Sequence, residues 1–146
     1  MSSSGITVTG GKRLIRKLDM LARTLPDEAE DAGEEILDML FLNMPDYPPP
    51  ILGSRYVRTY NLFDAVRSRA GEHEMSLSDV EVRTESVIVT LGLSDYGPYV
   101  VGLAREQARI HRGRWWKLSD VVRDNVRDAV RIAESHVRRS IRTAGF

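Results

Sequence analysis

Tyr47-Pro48-Pro49-Pro50-Ile51-Leu52-Gly53-Ser54-Arg55-Tyr56-Val57-Arg58-Thr59-Tyr60-Asn61-Leu62 is the stretch that divides this chain. Three consecutive prolines lack backbone N–H donors and hold φ near one value, so they impose an extended polyproline segment and stop any helix that reaches them. Before them the apolar residues recur at helical spacing; after them the pattern turns to strands and then back to helix. Three tyrosines and two arginines in the same stretch are a high density of adhesive side chains for a connector. Two uses stay open: a rigid crossover whose tyrosines pack on the core, or a surface that docks on another protein.

Upstream, Leu14, Ile15, Leu18, Leu21, Ala22 and Leu25 share a helical face, with Lys12, Arg13, Arg16, Lys17 and Arg23 on the other. This predicts a basic amphipathic helix at about 11–23, preceded by a short edge strand at Ile6-Thr7-Val8-Thr9. Thr24, Pro26, Asp27 and Glu28 form a helix-start signature, since proline suits the first turn and carboxylates favour the positive end of the dipole. A second helix is therefore predicted from Pro26 to the Pro45 stop, apolar through Ala29, Ile36, Leu37 and Leu40. Its other face is acidic, and like charges four residues apart, such as Glu30 with Glu34, cost a few tenths of a kcal/mol each. Two readings stay open: a simply solvated acidic face, or one that pairs with basic residues of this chain or of a neighbouring copy.

Downstream, Thr59 to Val66 reads as a strand or a short turn of helix. Val80 to Thr84 and Ser86 to Leu93 predict an antiparallel hairpin with Val87, Val89 and Leu91 on one face and Ile88 and Thr90 on the other. Asp95 to Gly102 reads as an aromatic turn. In Ile110 to Lys117 both tryptophans are adjacent; neighbours in extended chain point opposite ways, so one is expected in the core and one outward. A long C-terminal helix is predicted with Ser119 and Asp120 as caps and Leu118, Val122, Val126, Ala129, Ala133 and Val137 as its core stripe. Asp120 with Arg123, Asp124 with Arg127 and Asp128 with Arg131 are its expected i,i+3 ion pairs, and Arg138, Arg139 and Arg142 are expected to stand unpaired.

The formal charge is zero, yet it is segregated. Residues 1–25 carry five basic and one acidic side chain, residues 26–46 eight acidic and none basic, and residues 103–146 eleven basic and five acidic. Eighteen of the 21 basic residues are arginine, which favours bidentate pairing over diffuse charge. The absence of cysteine removes disulfides and thiolate chemistry, and His73, His111 and His136 are too scattered to suggest a metal site. No run approaches the ~20 apolar residues that span a bilayer, and the first residues lack a secretory pattern, so a cytoplasmic origin is expected. At 146 residues the chain is expected to be one α+β domain: a small antiparallel β-sheet packed by two N-terminal helices and a long C-terminal helix, with the proline-tyrosine loop at 45–60.

The order of these signals resembles the phage tail-component family named after gene product 10 of phage HK97. The resemblance is carried by Tyr47 to Pro50, then Tyr56-Val57-Arg58-Thr59-Tyr60-Asn61-Leu62, then Tyr96-Gly97-Pro98-Tyr99-Val100, and it spans nearly the whole chain. His111-Arg112-Gly113-Arg114-Trp115-Trp116 resembles a subset of the same proteins. The chain departs from the pattern at Tyr60, where glycine is usual, and at Val101-Gly102-Leu103-Ala104, where Glu-Phe-Gly-Thr is common.

The resemblance implies a non-enzymatic virion part: a tail-completion or neck component between the head connector and the tail tube, made in the bacterial host cytoplasm. It implies no cofactor or metal, and as partners it implies further copies in a ring such as a hexamer, a head-closure or connector protein, and a tail terminator or tail tube protein. DNA would pass through the lumen, and no membrane is involved. Candidate packing or docking anchors are Tyr47, Tyr56, Tyr99, Trp115 and Trp116, with Arg58 beside them as a candidate interface residue. Glu30 and Glu34 on the acidic helix are expected to meet Arg138, Arg139 and Arg142, within the subunit or across a ring.

Two other classes compete. A nucleic-acid-binding module is suggested by arginines interleaved with tryptophans over 105–117, against which stand the neutral total charge and the acidic helix. An enzyme using His111 lacks an acid–base pair at a telling spacing, a phosphate-binding glycine loop and a nucleophile elbow.

Overall fold

A computed structural model describes residues 11–49, 52–53, 61–84, 86–102 and 107–146, without the side chain of Tyr99. The expected edge strand at 6–9, together with Tyr56 and Arg58, lies outside the described residues. The fold is α+β, in the order α1 (Gly11–Leu42), α2 (Asn61–Val66), β1 (Asp79–Val82), β2 (Val87–Thr90), α3 (Gly97–Val101) and α4 (Leu118–Thr143). No described helix is long and apolar enough to cross a membrane.

The two expected N-terminal helices are one. Pro26 lies inside α1 instead of starting a new helix. A proline in a helix interior removes a hydrogen bond and costs about 3 kcal/mol in isolation. One feature offsets that cost. Helix α4 runs antiparallel to α1 across the junction: Lys17 reaches the Gly145 carbonyl on one side of Pro26, while Glu28 meets Arg139 on the other and Asn43 bonds Asn125 farther along. Contacts with one helix therefore brace both halves.

The hairpin forms as its alternation predicts, with Val80 opposite Val89 and Val82 opposite Val87. This register places the four valines on one face, and Asp79, Glu81, Ile88 and Thr90 on the other. An isolated bridge between Ser76 and Leu93 extends the pairing beyond the ladder. The valine face lies on α1 at Gly33, where a Cβ would stand 2.5 Å from Val80 Cγ1 and 2.8 Å from Val87 Cγ1. Only glycine lets helix and sheet approach so closely.

The main core gathers the C-terminal half of α1 (Leu40, with Met44 just beyond), α2 (Leu62, Ala65, Val66), Met75, Leu93, Val101 and Val121. The ambiguous segment after the prolines resolves as helix because Leu62, Ala65 and Val66 recur at helical spacing into this core. The expected turn at 97–101 is the short helix α3, which Asp95 introduces with a left-handed φ of 57°. Gly97 packs there against Leu93, 2.6 Å from where a Cβ would sit.

Helix α4 corrects the predicted stripe. Its fully buried positions are Val121, His136 and Ser140, whereas Val122, Val126, Val130, Val137 and Ile141 are exposed. The helix turns toward α1 a row that mixes polar with apolar residues, leaving its valines on the flank. The expected caps also move: Lys117 occupies the N-cap without a side-chain hydrogen bond, and Ser119 and Asp120 lie within the helix.

Candidate functional site

The start of the proline-tyrosine loop is clamped to the body. Tyr47 lies edge-on to Phe63 (5.4 Å between centroids) and to Trp115 (5.0 Å), and Arg67 stacks over Phe63 at 3.8 Å while donating to the Met44 carbonyl at 2.8 Å. Burial lowers the Arg67 pKa, against the pull of Asp46, Tyr47 and Asp64. Arg114 donates to the Pro49 carbonyl at 2.5 Å. For Tyr47, then, packing on the core is the observed use. Of the other aromatic candidates, Tyr56 and Arg58 lie outside the described residues, as does the Tyr99 side chain.

Trp115 and Trp116 are both half-buried and packed against the core, so the expected division into one inward and one outward ring does not hold. The segment curls instead of running extended: Arg114 N and Trp115 N both bond the His111 carbonyl, and the alternation of faces that an extended chain would impose is lost. Buried Gln107 fixes the curl by donating to the carbonyls of Val100 (2.7 Å) and Trp115 (3.2 Å), and Arg112 donates to the Gln107 carbonyl at 3.1 Å. His111 meets Trp115 edge-on at 6.1 Å; burial and the charge of Arg114 lower its pKa. Arg112 and Arg114 are thus employed on backbone carbonyls of this chain.

The acidic face of α1 does find basic partners within the chain. Glu34 pairs with Arg69, which also reaches Asp38 at 3.3 Å. Glu28 accepts from Arg139 at 3.1 Å and from His136 Nδ1 at 2.7 Å, and Glu35 accepts from His136 Nε2 at 2.9 Å. The His136 side chain is only 5% exposed. With a carboxylate on each ring nitrogen both nitrogens donate, which only the imidazolium does. The Glu35 hydrogen bond, followed by that of Glu28, raises the His136 pKa against burial and the charge of Arg139. Among the described residues no histidine–carboxylate group could hold a metal ion.

The arginine expectation is therefore partly realised. Arg139 meets the acidic helix, Arg138 pairs with Glu134 of its own helix at 3.6 Å, and Arg142 has no ion pair among the described residues. Of the three expected pairs farther up α4, Asp120–Arg123 and Asp128–Arg131 form, at 2.9 and 2.8 Å, whereas Asp124 turns to Arg123 at 3.0 Å. Glu30 has no partner among the described residues, and neither do Asp27 and Asp31. Arg69 and His136 were missed by sequence reasoning. The signal for His136 was its spacing from Ser140 and Ile132, which marks the inward row once the valine stripe is set aside.

Among the described residues the N-terminal half of α1 is the less covered: Leu14 (50% exposed), Ile15 (59%) and Leu18 (49%) stand half in solvent, and their stripe continues through Leu25 into a cleft. Ala29, Ala32, Gly33 and Ile36 of α1 line that cleft together with Val87 and Val89 of β2 and Ala133 and Val137 of α4.

No protein-family model matches the chain, and no curated protein or solved structure is significantly similar to it.

Proposed function

We propose that this chain is a structural component of a tailed phage, acting at the neck where the tail is completed and joined to the head. The observation that carries the reading is the uncovered apolar stripe on α1 beside side chains segregated by charge, a surface built for protein contact. Supporting it is the order of elements: a long helix entering a proline-rich loop, a hairpin, and a C-terminal helix, which is the order the family resemblance implies. Of the residues that suggested nucleic-acid binding, Arg112 and Arg114 are occupied by carbonyls and Trp115 and Trp116 by core packing, which favours assembly over base stacking.

Deletion of the reading frame from the phage genome that carries it tests the proposal. The expected phenotype is DNA-filled heads and separate finished tails by electron microscopy, which join when the purified protein is added. Intact virions at normal yield would overturn it.

A further inference from the structure

We infer that the sheet is completed by a strand from a second copy of this chain: residues 6–9 of one copy pair with the open edge of β2 in another and cover the valine row of α4. The sheet layer stops short of the helix layer. Helices α1 and α4 lie side by side, while the hairpin sits on α1, with Val80 and Val87 seated on Gly33. Strand β2 is the one on the α4 side. Val87 and Val89 line one cleft with Ala133 and Val137 of α4, and Leu91 and Leu93 line a second with Leu118 and Val122. Between the two clefts Val126 and Val130 continue the same row and are exposed. The valines that turn away from α1 therefore face the space beside β2.

The edge of β2 on that side is open. Leu77 N–H donates to the Gly92 carbonyl and Arg83 N–H to the Ser86 carbonyl, so with Asp79 opposite Thr90 the even-numbered residues of β2 turn their backbone groups to β1. Val87, Val89 and Leu91 turn theirs outward, and these make no hydrogen bond among the described residues. An open edge beside an apolar row fits an extended segment, which pairs with the backbone groups and sets alternate apolar side chains on the valines. The chain holds one further stretch of that alternation, Ile6-Thr7-Val8-Thr9, within residues 1–10, which lie outside the described residues and carry no charged side chain. Its own subunit is out of reach. Gly33 lies 22 residues beyond Gly11 on α1, ~33 Å at the helical rise, whereas Ile6 precedes Gly11 by five residues and extends at most ~18 Å from it. The strand therefore comes from another copy. It lies beside β2 and leaves the seat of Val80 and Val87 on Gly33 as it is. This inference stands on the fold and not on the virion reading.

The absence of cysteine from the chain makes disulfide trapping a clean test. Copies carrying Val8→Cys are mixed with copies carrying Val126→Cys, and mild oxidation is expected to join the two kinds. Asp31→Cys, exposed on the acidic face of α1, is expected not to join with Val8→Cys. No trapping at Val126→Cys, equal trapping at Asp31→Cys, or a bond formed only within a chain that carries both Val8→Cys and Val126→Cys would overturn the proposal. Amide exchange on the unaltered chain is the second test. The Val87, Val89 and Leu91 amides are expected to exchange at least about tenfold more slowly at concentrations on the order of 100 µM than after dilution, and Val8→Asp is expected to abolish that difference. Exchange independent of concentration would sink the idea and leave a strand of another protein as the occupant.

Discussion

The two halves of α1 share one helix and one amphipathic pattern, and their fates differ. The apolar face of residues 28–40 is covered by the hairpin, by α4 and by the main core, with Leu37 fully buried. Residues 11–25 carry the more regular leucine stripe, yet Leu14, Ile15 and Leu18 stay about half exposed among the described residues. Amphipathicity reports which face of a helix needs cover and says nothing of what supplies it. Where the hairpin lies on the helix the need is met inside the subunit; over residues 11–25 it is met only in part by the described residues.

Breaking the covered half should have the largest effect. Leu37→Ala empties a site with no exposure and is expected to cost about 2–5 kcal/mol in denaturant unfolding, whereas Leu14→Ala in dilute monomer should cost under about 0.5 kcal/mol. Similar losses at the two positions would erase the distinction between the halves. Next, Gly33→Val places a branched side chain where even a Cβ collides with Val80 and Val87, and an overpacking cost of about 1–3 kcal/mol is expected. A loss of the 79–90 hairpin signal by amide exchange would locate the damage.

His136 sharpens the comparison, since it ties only the covered half to α4. Its pKa is raised on folding, so its contribution is fully present below its ordinary value of about 6.5 and is lost as pH rises through the raised native value. Stability should therefore fall with rising pH across that window, by at most about 1.4 kcal/mol per pH unit for one proton. His136→Gln should flatten that part of the curve, and an unchanged slope would show that other groups set it.

The smallest effect is expected at the junction. Pro26→Ala restores a hydrogen bond and should stabilise the helix by about 1 kcal/mol, a gain reduced because α4 already bridges the proline. A loss of stability there would mean that the proline shapes the helix.

Much of the fold was legible because its signals are local. Alternation of valines fixes the faces of the hairpin, and the leucine period marks α1 on both sides of Pro26. The candidate surfaces were legible only in part. Arg139 was expected at the acidic helix and is there, but its partner is Glu28, not Glu30 or Glu34, and the partner of Glu34 is Arg69 from the segment after α2.

By itself, then, the sequence determined the kinds of element, their order and the segregation of charge, since each follows from periodicity and composition within a few residues. Only the tertiary structure decided the rest. Packing along α4 overrides the helix-start signal at Pro26, with contacts on both sides of the proline holding one continuous helix. On α4 the row that faces α1 holds His136, bonded to Glu28 and Glu35, while Val122, Val126, Val130 and Val137 are exposed; which row turns inward depends on partners about 100 residues away in sequence, which helical periodicity does not register.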